Sequence, residues 1–109
     1  MTVINDSQRS TEIIATLANS AKYEVLLLLT QSKSMVRLYK LGIFDKLFEA
    51  SKGNIKIRII CPINSENDDL IKYLHTNYPR INILNGTEGE IGLIIVDNSK
   101  FFIYEERRW

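Results

Sequence analysis

Lys33, Arg37 and Lys40, with Ser32 and Ser34, fall in the polar stretch QSKSMVRLYKLG directly after the first strongly apolar run of the chain. Cations and hydroxyls gathered behind a buried strand are the groups that hold an oxyanion. In open α/β sheets, ligands settle beyond the carboxyl ends of parallel strands, where helix N-termini add backbone donors. Thr30 closes that apolar run, and Pro62-Ile63-Asn64-Ser65 occupies the corresponding place after the second strand. Thr30, Lys33, Ser34, Arg37 and Asn64 are therefore candidate contacts to a small anionic ligand. The competing reading is a solvated basic surface.

A second set of polar residues brackets the apolar run of GEIGLIIVDNSKFFIYEE. Glu90, facing a pocket, would select a cationic or hydroxylated ligand; on an edge it is solvated. Asp97, followed by Asn98, either supplies a tight turn or organises a site. Cys61 is the single cysteine and His75 the single histidine, so neither a disulfide framework nor a four-ligand zinc site can form within the chain. Cys61 reads as a small buried hydrophobe and His75 as a structural or exposed residue. No metal or cofactor is expected. Tyr23, Tyr39, Tyr73, Tyr78 and Tyr104 show no clustering in the sequence that would support base stacking.

These residues sit in a chain of 109, enough for one domain and one core without metals or disulfides. A hydrophobic share of 45% and a charged share of 25% exclude disordered and fibrous classes. Fourteen Lys and Arg against thirteen Asp and Glu leave a net charge of +1, too little for a global field toward nucleic acid or an anionic membrane. Neither is expected as a partner. The longest apolar runs, 25–29 and 91–96, are far below the roughly 20 residues of a membrane span, and MTVINDSQRS lacks the layout of a signal peptide. The expectation is a cytoplasmic domain covering 1–109, with 1–6 and 106–109 as linker or frayed ends.

Periodicity orders the elements that must carry the polar residues. Ile13, Ile14, Leu17, Ala18 and Ala21 mark one face of a helix with Asp6 or Ser7 as N-cap. YEVLLLLT is a continuous apolar strand, expected to be buried on both faces at the sheet centre. Leu38, Leu41, Phe44, Leu47 and Phe48 mark a helix running to about Lys52 and capped by Gly53. NIKIRIIC alternates as a strand, Ser65 and Asp68 form a capping box ahead of a short helix, and RINIL is a third strand. NGTEG carries the Asn-Gly hairpin signal, and two strands meet at Asp97-Asn98. Strands alternating with helices, then a hairpin, specify an α/β fold: parallel strands plus a C-terminal antiparallel hairpin in one mixed sheet, with helices on both faces.

The features AKYEVLLLLT, FEASKGNIKIRII, CPIN and GEIGLIIVDNSKFFIY, taken in this order, resemble one half of a phospholipase D-like domain over roughly residues 10 to 105. Ala50, Gly53, Ile55, Ile57, Arg58 and Ile60 fit a pattern common in that superfamily. Its catalytic signature, HxKxxxxD, aligned on Asp97, puts Glu90 at the His position and Gly92 at the Lys position. The nucleophile and charge clamp that the resemblance implies are thus absent, and the domain is expected not to be catalytic. AKYEVLLLL, KLGI and KIRIICPIN resemble more specifically the N-terminal sensory modules of archaeal histidine kinases. The resemblance implies a noncatalytic signal-input domain of a two-component system, acting as a homodimer and binding a small ligand. The alternatives are a divergent phosphodiesterase or nuclease, and the regulatory domain of a transcription factor.

Overall fold

The computed structural model describes residues 7–51 and 54–105. Its elements are α1 (Ser7–Asn19), β1 (Glu24–Leu28), α2 (Ser32–Lys40), α3 (Ile43–Ser51), β2 (Lys56–Cys61), α4 (Asp68–Asn77), β3 (Ile81–Asn85), β4 (Ile91–Val96) and β5 (Lys100–Glu105). The strands form one five-stranded mixed sheet in the order β3-β2-β1-β4-β5. β1 pairs parallel with β2, and β2 parallel with β3, whereas β4 runs antiparallel to both β1 and β5. The α/β class and the final hairpin are as the sequence pattern requires.

The helices do not cover both faces. Both parallel crossovers, β1 to β2 and β2 to β3, step the same way across the sheet. Right-handed connections then put α2, α3 and α4 on the same side. α1 joins them there, packing on α3, β4 and β5. Val25, Leu27, Ile57, Ile59, Ile94 and Val96 point into this helical layer and are fully buried with Ile14, Met35, Phe44, Leu47 and Leu74.

Among the described residues no helix covers the opposite face of the sheet, so the apolar run of β1 is buried on one face instead of two. Strand pairing lines Leu84, Ile60, Leu28, Leu93 and Ile103 into one row across this face, and Leu26, Ile95 and Phe101 continue a second. Leu84 and Phe101 at the margins are 44% and 54% exposed.

Three local expectations change. The helix anticipated over Leu38 to Lys52 is two helices: the chain turns at Leu41-Gly42, where Gly42 has φ 78°, and Leu41 lies exposed instead of in the core. α4 begins at Asp68 with Asn67 as its cap residue, so Ser65 is not the N-cap. Asn85-Gly86 makes no hairpin, because β3 and β4 lie on opposite sides of the β1–β2 pair. Asp6, Lys52, Gly53 and the side chain of Ala50 lie outside the described residues; Asn54 takes a left-handed conformation at φ 67°.

Candidate functional site

The carboxyl edge of the parallel strands, where the sequence pattern anticipates a ligand crevice, is crossed by a strap. Residues 86–90 must carry the chain from β3 past β2 and β1 to β4, about 14 Å at ordinary strand spacing. Five residues reach at most about 18 Å, so the connection crosses that distance without room for a wide excursion. Each strand end it passes holds it: Gly86 N–H donates to Cys61 O at 2.9 Å and Gly89 N–H to Thr30 O at 3.0 Å. Thr30 Oγ1 donates to Ile91 O at 3.0 Å, and the Gln31 side-chain amide donates to Gly89 O. A Cβ on Gly86 would stand 2.6 Å from Ile60 Cγ2, so this glycine serves close approach and not a hairpin turn.

Beside the strap, a buried amide knits the two loops that follow β1 and β2. Asn67, 1% exposed, donates from Nδ2 to Pro62 O at 2.8 Å and to Ser32 O at 3.2 Å, and its Oδ1 accepts Asn64 N–H at 3.0 Å. Asn64 Oδ1 accepts Glu66 N–H, and Asn85 Oδ1 accepts Ile63 N–H. Thr30 and Asn64 thus use their side-chain oxygens on backbone donors and acceptors, and Ser34 is buried in the first turn of α2. Gln31, Asn67 and Asn85 carry this edge without having been singled out in the sequence: polar residues in polar loops give no signal of burial.

Lys33, Arg37 and Lys40 do come together. With Val36, Leu41 and Glu66 they line an open groove of ≈ 660 Å³ along the outer side of α2. Partial burial lowers the Arg37 pKa, but a guanidinium remains charged at neutral pH. Further along α2 the structure assembles aromatics that are dispersed in the sequence. Tyr39 and Tyr73 meet edge to face at 5.7 Å, 38% and 45% exposed. Tyr78 packs on Phe48 and donates its hydroxyl to Asp45 Oδ1 at 2.6 Å, which with some burial pushes the phenol up to about 12. The basic residues are therefore one stripe along α2, with the Tyr39–Tyr73 pair adjoining its Lys40 end.

Glu90 and Asp97 stand at opposite ends of β4 and cannot share a site. Glu90 is exposed at the end of the strap. Asp97 takes φ 54° and Asn98 φ 59°, a left-handed pair closed by Ser99 N–H to Val96 O. The Asp97 carboxylate accepts Tyr23 N–H at 2.8 Å and Glu24 N–H at 2.9 Å on Oδ1, and Lys22 N–H at 2.9 Å on Oδ2. Hydrogen bonds from Glu24 and Lys22, with smaller help from Tyr23 and Lys100, hold its pKa below the ordinary carboxylate range. Asp97 is neither a bare turn residue nor a free acid; it clamps the entrance of β1. At Gly92 a Cβ would fall 2.4 Å from the Tyr104 ring, so that phenol fills the space a lysine side chain would need. Among the described residues no cluster of His, Cys, Asp and Glu could hold a metal ion.

No protein-family model matches the chain, and no curated protein matches it. Among solved structures, TrmBL2, described as an archaeal chromatin protein with a novel mode of DNA binding, matches 88% of this chain with a TM-score of 0.60 at 16% identity. The chain spans 36% of the length of that protein, and the likeness is one of fold. It corrects the phospholipase D-like assignment and the histidine-kinase sensor reading that came with it. The order of elements behind that resemblance is equally the order of a domain in a DNA-binding protein. The exclusion of nucleic acid from the partners is corrected with it: a net charge of +1 constrains the whole molecule, not the charge along one helix. No described helix is long and apolar enough to cross a membrane.

Proposed function

We propose that this is a noncatalytic regulatory domain of a DNA-associated protein, in which the outer face of α2 rests against the phosphate backbone. The observation that carries this is the alignment of Lys33, Arg37 and Lys40 along one groove, on a fold shared with a protein that binds DNA. Lysine and arginine heads at helical spacing follow successive phosphates without reading bases, so binding would be weakly sequence-dependent and strongly salt-dependent. Glu66 on the same groove opposes phosphate and keeps the contact weak. The cytoplasmic location expected from the sequence accords with a place beside DNA.

The test is fluorescence anisotropy of a labelled duplex titrated at several salt concentrations. Three phosphate contacts give a slope of about −3 in log K against log salt. Replacing Lys33, Arg37 and Lys40 together by Gln should flatten that slope and abolish binding at physiological salt. Binding that is unaffected by the triple replacement overturns the assignment to α2; absence of binding by the wild type at low salt overturns the reading.

A further inference from the structure

The open face of the sheet is the largest feature that the α2 groove leaves unexplained. Its first row is apolar from Leu84 to Ile103, and its second carries Leu26, Ile95 and Phe101 outward beside Arg58 and Asn82, away from the core packed on the other side. Soluble monomers rarely leave contiguous apolar patches of more than a few hundred Å². Five strands at their ordinary spacing and length make this face about 24 by 18 Å, or about 430 Å² of flat sheet.

We infer that this face is the contact between two copies of the chain, stacked sheet on sheet. Two such faces withdraw about 900 Å² before side-chain relief is counted, and relief brings the total to the roughly 1,000 Å² that a specific interface requires. Charge favours a second copy over a lipid surface. The polar margin, Glu24 on β1 and Lys56 beside it on β2, reaches inward at Arg58, 3.7 Å from Glu24 and between Asn82 and Leu26 in the second row, and it holds both signs. An isologous two-fold contact sets carboxylates and cations of this margin within reach of their counterparts, whereas an anionic membrane would call for a rim of one sign. A net charge of +1 per chain adds little repulsion between copies. Flat sheets packed this way lie about 10 Å apart with interdigitated side chains. The helical layers, and α2 with its basic stripe, then face outward on both sides of the pair. This inference is independent of DNA binding.

Sedimentation equilibrium on the 109-residue chain between about 1 and 100 µM tests it. The wild type should be dimeric through most of that range. Leu28→Glu and the milder Phe101→Ser, both off the core, should keep the wild-type circular dichroism while weakening association at least tenfold. If Leu28→Glu loses its fold, Phe101→Ser alone decides. A wild type that is monomeric at the highest concentration, or a dimer untouched by a folded variant, overturns the inference.

Discussion

Asp97 Oδ1 accepts the backbone N–H groups of Tyr23 and Glu24, at 2.8 and 2.9 Å, while the Asp97 N–H donates to Glu24 O at 3.0 Å. The turn that ends β4 is thus bound on both sides to the first residue of β1, and the central antiparallel pair is registered from this end.

Asp97→Asn should lower the melting temperature, because an amide offers one acceptor where the carboxylate offers two. The acid side gives the sharper check. A carboxylate whose folded pKa lies below its ordinary value near 3.8 contributes stability above that value, which is lost as pH falls through the folded pKa. Thermal melts of the wild type should therefore fall below about pH 4, and Asp97→Asn should show a smaller drop over the same window.

Gly92→Ala should destabilise by about 1–3 kcal/mol, since the new methyl meets the Tyr104 ring inside a packed core. Combining it with Tyr104→Leu should restore part of the loss relative to Tyr104→Leu alone. Urea unfolding of the two single variants and the pair measures the coupling; strict additivity would remove Tyr104 as the obstacle.

Asn67→Ala should cost about 2–4 kcal/mol, because Pro62 O, Ser32 O and Asn64 N–H lose their shared partner in a site that water does not reach. Amide hydrogen exchange should quicken in residues 62–67 before it does in the sheet.

Glu66→Gln should tighten binding of a DNA duplex about two- to fivefold at low salt, the effect of removing one exposed charge from the groove, and the gain should shrink as salt rises. A loss of affinity would show that Glu66 organises the groove instead of opposing phosphate.

Tyr78 gives an alkaline counterpart. Its folded pKa, about 12, lies above the unfolded value near 10, so the stability from its hydrogen bond to Asp45 is complete below pH 10 and lost as pH rises toward 12. Tyr78→Phe should melt lower at neutral pH and lose less between those values.

Strands and helices of this protein are legible residue by residue, because apolar spacing reports one local fact: which side of an element meets the core. The strand at Lys56–Cys61 alternates as read, and the amphipathic face of α1 is the buried one. Local spacing misleads where a backbone event intervenes, as at Gly42, whose positive φ splits one apparent helix into two and turns Leu41 out to solvent. The candidate contacts divide the same way. The cations of α2 were identifiable as a charged group from their position after β1, whereas the fates of Thr30, Asn64 and Asp97 depended on which backbone groups the fold would bring to them.

The sequence by itself determined the class of fold and the closing hairpin, since each follows from residue type and short spacing. Tertiary structure decided the rest. The direction of two crossovers set α2, α3 and α4 on one face, where α1 joins them, and the crossing from β3 to β4 passed over the edge where a ligand was expected. The approach of α4 to α2 set Tyr39 and Tyr73, far apart in the sequence, edge to face. These outcomes depend on the order of strands across the sheet, a long-range relation that composition and local periodicity do not encode.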